Sequence, residues 1–179
     1  MKTLVAYYSN FGSNKSLSEE IASRLGADLD EITEGKKRTL PLGFAIAFLR
    51  SILHIYPKIS QAKNPADYDL VILSAPVWAG GLALPMKAYI AKNRRKFRKI
   101  AYACISGGAN NPKVVPEIEN LSGIKVSASI DLAVVEPGTE PKEKDKGAEM
   151  MTMHLTREDL KKEYYANGID SFIKKVLNN

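Results

Sequence analysis

Apolar residues in this chain come either in short, nearly unbroken runs or in stripes at helical spacing. Thr3-Leu4-Val5-Ala6-Tyr7-Tyr8 is apolar at almost every position, as a strand covered on both faces must be. Leu17, Ile21 and Leu25 then recur at helical spacing. Ser16 and Glu19 have the spacing of a capping box, which predicts a helix starting there or one turn earlier. A weak second strand is expected near 28–33, and residues 40–56, unusually apolar, predict a helix after Pro41. Leu70-Val71-Ile72-Leu73-Ser74-Ala75 reads as a third strand. A helix follows from Pro85, a favoured first-turn proline, and buries Met86, Tyr89, Ile90 and Phe97. Residues 100–105 predict a fourth strand, a short helix follows Pro112, and a fifth strand lies within 125–135. The Pro-, Gly-, Glu- and Lys-rich stretch from Glu136 predicts a mobile loop over 136–155. Thr156 is the expected cap of a final helix whose stripe of Phe172, Ile173, Val176 and Leu177 packs on the sheet, with Gly168 weakening it midway.

This alternation predicts a doubly wound α/β fold with a parallel sheet and helices on both faces. At 179 residues the chain is expected to form a single domain over 1–179. One cysteine, Cys104, excludes an internal disulfide framework and a structural zinc cluster, and reads as an inert core thiol. His54 and His154 are isolated in sequence and receive no role. The start of the chain lacks the apolar core of a secretory leader, and no apolar run is long enough to span a bilayer, so a cytoplasmic protein is expected.

A net charge of +6 changes this picture little. No nucleic-acid-binding motif accompanies it. The densest basic run, Lys92, Arg94, Arg95, Lys96, Arg98 and Lys99, follows a helix C-terminus, where cations complement the macrodipole. Lys36, Lys37 and Arg38 read as surface residues.

The candidate chemistry lies in three loops that directly follow strands. Ser9-Asn10-Phe11-Gly12-Ser13-Asn14 leads into a helix and offers hydroxyl, amide and backbone N–H donors at its N-terminus, where a phosphate dianion fits without an arginine. The same residues also suit a plain polar turn with a serine cap. Ala75-Pro76-Val77-Trp78-Ala79-Gly80-Gly81 sets the single tryptophan at a strand exit beside two glycines, as a stacking platform or as a core residue. Ser106-Gly107-Gly108-Ala109-Asn110-Asn111 suits a backbone lying flat against a ligand, or a tight turn. In doubly wound sheets such loops border the ligand crevice at the carboxyl ends of the strands.

Tyr8-Ser9-Asn10-Phe11-Gly12-Ser13-Asn14 resembles the phosphate loop of the flavodoxin family. Tyr68-Asp69-Leu70-Val71-Ile72-Leu73 with Pro76-Val77-Trp78-Ala79-Gly80 is similar to that family's third strand and flavin loop. The resemblance runs through most of the chain and implies a flavodoxin-like five-stranded parallel sheet of order 2-1-3-4-5. It implies FMN as cofactor, with Ser9, Asn10, Phe11, Gly12, Ser13 and Asn14 around the phosphate. Pro76, Val77, Trp78, Ala79 and Gly80 would border the isoalloxazine, and Ser106, Gly107 and Gly108 its pyrimidine side.

Phe11 and Asn14 stand where the family usually carries hydroxyl residues; the Asn14 side-chain amide is the expected substitute donor. The third loop has no aromatic residue, which leaves one ring face open, and the chain is basic where small carrier flavodoxins are acidic. The resemblance thus implies an FMN redox protein, either an electron carrier with a redox partner protein or a reductase linked to NAD(P)H or a quinone. The alternative is a non-redox module that uses the same cleft for another ligand or partner. The apolar segment 43–56 is a candidate homodimer surface or an apolar lid near the flavin, with plain core packing as the alternative.

Overall fold

The computed structural model describes residues 1–35, 56–135 and 154–178. The apolar segment 43–55, the basic triplet Lys36, Lys37 and Arg38, and the expected loop up to 153 lie outside the described residues.

Five parallel strands form the main sheet: β1 (Thr3–Tyr7), β2 (Asp28–Glu31), β5 (Leu70–Ser74), β8 (Ile100–Ser106) and β9 (Val126–Ala133). Their order is β2-β1-β5-β8-β9, the predicted 2-1-3-4-5 counted along the main-sheet strands. Two small antiparallel pairs decorate it: β3 (Thr33–Glu34) with β4 (Ile59–Ser60), and β6 (Val77–Trp78) with β7 (Gly81–Leu82). The helices are α1 (Ser13–Leu25), α2 (Leu84–Asn93), α3 (Val114–Ser122) and α4 (Glu163–Asn178).

Strand period two sorts the core into two layers. Leu4, Ala6, Val71, Leu73, Tyr102 and Cys104 face one layer with Met86, Tyr89 and Ile90 of α2 and Ile118 of α3. Val5, Leu70, Ile72, Ala101, Ala103 and Ile105 face the other with Leu17 and Ile21 of α1 and Ile169, Phe172 and Val176 of α4. The central strands are buried on both faces, which is why their sequences read as unbroken apolar runs.

Three local expectations are corrected. First, of the two starts left open α1 takes the earlier one, with Gly12 as its cap at φ +100°, and the capping box is what fails: Ser16 is a buried residue inside the helix. Second, Thr156 does not cap α4: it lies ahead of a short 3₁₀ turn (Asp159–Lys161) whose cap residue is Glu158, and its N–H and O–H donate to the Asp159 carboxylate at 2.9 and 2.8 Å. Third, the buried face of α4 is Tyr165, Ile169, Phe172 and Val176, while Leu177 is 63% exposed. Gly168 explains this rotation. A Cβ there would lie 2.9 Å from Leu132 and 3.1 Å from Ile130 of β9, so glycine lets the helix sit close on the sheet. Its low helix propensity is outweighed by the approach it permits.

Candidate functional site

Because β1, β5 and β8 are adjacent and parallel, their C-terminal ends share one edge of the sheet. The first loop leaves β1 there, the tryptophan loop leaves β5 and the glycine loop leaves β8. The three sequence-predicted segments are thus brought together.

In the first loop the Ser9 hydroxyl accepts the Gly12 N–H at 3.0 Å, which folds the chain back onto the start of α1. Asn10 and Phe11 are exposed, while Ser13 and Asn14 are buried. The earliest helical bond is Ser16 N–H to the Gly12 carbonyl, so the first-turn N–H groups have no acceptor within the helix. They carry the positive end of the α1 dipole. The nearest cation in sequence, Lys15, pairs with Glu19 at 3.9 Å on the exposed side.

The Asn14 amide is not available to an anion, contrary to expectation. Its Nδ2 donates to the Ile105 carbonyl at 2.9 Å, and its Oδ1 accepts the Ile105 N–H at 2.9 Å. A donor from Asn14 to a ligand can only be its backbone N–H. The side chain is instead a clamp between α1 and the exit of β8.

The tryptophan loop is a β-hairpin, a form the sequence reading did not anticipate. Val77 pairs with Leu82 and Trp78 with Gly81 across a two-residue turn of Ala79 and Gly80, at φ +49° and +77°. Both turn residues are exposed, and Pro76, Val77 and Trp78 are half-buried. The Trp78 ring stands edge-on to Tyr8, with centroids 5.9 Å apart and planes at 84°. Glu117 of α3 anchors the hairpin by accepting the Leu82 N–H at 2.8 Å.

In the glycine loop Ser106 is buried, while Gly107, Gly108, Ala109 and Asn110 are exposed. Beneath the loop lies Asp131 of β9, which sequence reading missed because a single Asp within a strand carries no local signal. Asp131 also accepts the Cys104 thiol proton at 3.0 Å. Burial, followed by this neighbouring carboxylate, pushes the Cys104 thiol well up, so it stays protonated, in keeping with an inert core residue.

His154 is a second residue with no sequence signal. A Cβ on Gly12 would fall within its imidazole, so the ring lies directly against the first loop. The segment behind it is held in place. Leu155 N–H donates to the Ser13 hydroxyl at 3.0 Å, and Arg157 pairs with Glu20 of α1 at 2.9 Å.

The basic run lies elsewhere. Arg98 pairs with Asp69 at 3.3 Å, and the Asp69 carboxylate accepts the Lys2 N–H at 2.7 Å, both at the N-terminal ends of β1 and β5. An open groove of about 450 Å³ is lined by α4 residues alone, among them Asn167, Asp170, Ser171 and Lys174, with no group converging from another element. Among the described residues no cluster of His, Cys, Asp or Glu could hold a metal, and no helix is long and apolar enough to cross a membrane.

No family profile and no curated protein matches the chain. Solved structures do. A flavoprotein in complex with FMN from Lactobacillus acidophilus NCFM is 27% identical, with TM-score 0.62, over 74% of this chain and 91% of that one. The apo-form of the flavoprotein from the same organism is 26% identical, with TM-score 0.56, over 74% and 90%. A flavodoxin from the domain Archaea shares 15% identity and a TM-score of 0.50, over 98% and 99%. By its strand order, its loops at one sheet edge and these likenesses, the chain has the flavodoxin-like fold.

Proposed function

We propose that the protein binds FMN at the C-terminal edge of its sheet and works as a redox flavoprotein. The observation that carries this reading is the convergence of three loops on one edge, joined by the Tyr8–Trp78 contact and the Asn14–Ile105 clamp. The FMN complex of the 27% identical Lactobacillus flavoprotein supports it.

The residues present fit such a group. Backbone N–H groups at the start of α1, with Gly12 and Ser13, receive a phosphate dianion on the positive end of a helix dipole. Pro76, Val77, Trp78, Ala79 and Gly80 border the ring from the hairpin, and Ser106, Gly107 and Gly108 offer backbone donors from the other side. Ser9 holds the first loop closed, and Asn14 fixes its distance from the glycine loop. Asn10 and Phe11 form the outer wall of the phosphate loop.

When bound, FMN supplies one- or two-electron redox chemistry; the protein sets its orientation, hydrogen bonding and access. Gly107, Gly108, Ala109 and Asn110 are exposed and carry no aromatic side chain, which favours an accessible ring face. That feature supports a reductase on which a nicotinamide or quinone stacks over a small carrier of electrons between proteins. The reading takes the protein as cytoplasmic, a reducing setting in which a free thiol such as Cys104 persists.

The test is absorbance of the purified protein, then titration of the apo-protein with FMN and riboflavin. FMN is expected to bind much more tightly than riboflavin, and bound FMN to accept electrons from NAD(P)H and pass them to a quinone. Equal affinity for the two flavins would remove the phosphate-loop assignment. Absence of any flavin binding would leave the non-redox module as the reading.

A further inference from the structure

The glycine loop is shaped from below by one side chain on the neighbouring strand. Asp131 stands opposite Cys104 in the β8–β9 register. Its Oδ1 accepts from the Cys104 thiol at 3.0 Å and the Ser106 hydroxyl at 2.9 Å. Its Oδ2 accepts from the Asn111 backbone N–H at 2.9 Å and from Asn111 Nδ2 at 2.6 Å. The Cys104 thiol and the two Asn111 groups donate to it, while the single Ser106 hydroxyl hydrogen is shared between Asp131 and the Gly108 carbonyl at 2.6 Å, an arrangement that suits an acceptor-only carboxylate. Asn111 Nδ2 also reaches the Ser106 hydroxyl at 3.0 Å and the Gly108 carbonyl at 2.9 Å. Both ends of the loop are therefore drawn down onto one carboxylate.

What remains unpaired on the loop is informative. The N–H groups of Gly107, Gly108 and Ala109 make no hydrogen bond among the described residues, and all three residues are exposed. Unpaired amides on a loop whose other donors are gathered inward form a preorganised edge for an acceptor-rich planar heterocycle.

We infer that Asp131 is the positioning residue of this loop: it touches no ligand, but by holding Ser106 and Asn111 it presents the amides of residues 107–109 to the acceptor edge of a bound ring. The ligand part of this inference rests on the FMN reading above; the loop part does not. A fixed carboxylate below the ring edge would also oppose electron uptake by the ring.

The experiment uses the full chain with Asp131→Asn and, independently, Asn111→Ala, which removes the side-chain partner at the far end of the loop. In ligand-free protein, hydrogen exchange of the residue-111 amide, the loop N–H that Asp131 holds, is expected to speed up about tenfold or more in both variants, with α1 and β1 unchanged. In flavin titrations of Asp131→Asn, FMN and riboflavin should weaken by the same factor, about tenfold, because both share the ring. The midpoint potential of the bound FMN should rise, an effect that loop loosening without a charge change would not produce and that Asn111→Ala should therefore lack. Unchanged exchange of the residue-111 amide in either folded variant overturns the inference. So does a loss confined to FMN, which would place the effect at the phosphate end. If the wild type binds neither flavin, the functional reading fails, while hydrogen exchange still decides the role of Asp131.

Discussion

Asn14 grips Ile105 by both of its peptide groups, taking the N–H on Oδ1 and giving Nδ2–H to the carbonyl, each at 2.9 Å. The residues are 91 positions apart in the chain. The contact ties the first turn of α1 to the last residues of β8, and thus sets the spacing between the first loop and the glycine loop. Asn14→Ala would leave two buried backbone groups unpaired and is expected to destabilise the fold by about 2–4 kcal/mol. Urea denaturation of the apo-protein measures it. A loss below about 1 kcal/mol would mean that water replaces the clamp.

Gly12 meets two constraints, a φ of +100° and the imidazole of His154. Gly12→Ala should therefore disturb the first loop through backbone strain, about 1–2 kcal/mol, and through displacement of the ring. Combining it with His154→Gly should recover only the steric part. A double-mutant cycle on FMN affinity reads the coupling, and a coupling energy near zero would mean the ring moves aside freely.

Trp78 is the single tryptophan, so intrinsic emission reports on the hairpin alone among indoles. FMN added to the apo-protein is expected to quench it. Trp78→Ala should weaken FMN and riboflavin alike by roughly fivefold, in line with about 1 kcal/mol for an aromatic contact. Emission that does not respond to saturating FMN would place the ring away from the hairpin.

Acid should release the segment behind His154. Burial alone would raise the Glu20 carboxyl, but hydrogen bonds from Arg24 and Arg157 outweigh it and hold the group below its ordinary value. A lowered folded-state value means that the stabilisation is complete above the unfolded value and is lost as pH falls through the folded one. Hydrogen exchange at 155–161 should accordingly accelerate below the usual carboxylate range. Arg157→Ala should show the faster exchange already at neutral pH, and an identical acid profile in wild type and variant would exclude this pair as the latch.

Gly168→Ala should be destabilising although alanine is the better helix former. The added methyl would meet Leu132 at 2.9 Å, and overpacking of that kind costs about 1–3 kcal/mol. Thermal unfolding measures it; a rise in Tm would mean that helix propensity dominates at this site.

The parts of this protein legible in its sequence are those whose signal is local. Thr3–Tyr7, Leu70–Ser74 and Ile100–Ser106 announce themselves because burial on both faces demands unbroken apolar runs. Pro85 marks the α2 start, and the small-residue loops stand out because each directly follows a strand. What escaped depends on contacts between distant positions. The Asn14 amide reads as a ligand donor until Ile105 is found beside it, and Asp131 and His154 matter only through the neighbours that folding supplies. The Ser16/Glu19 spacing left two helix starts open, and the earlier one holds because Gly12, able to take φ +100°, ends the loop there.

The hydrogen bond from Leu155 to Ser13 crosses 142 positions of sequence. On a ribosome, the first loop emerges 142 residues ahead of the partner that ties down its Ser13 hydroxyl. A product truncated before Leu155 would carry the whole first loop with its Ser13 anchor missing.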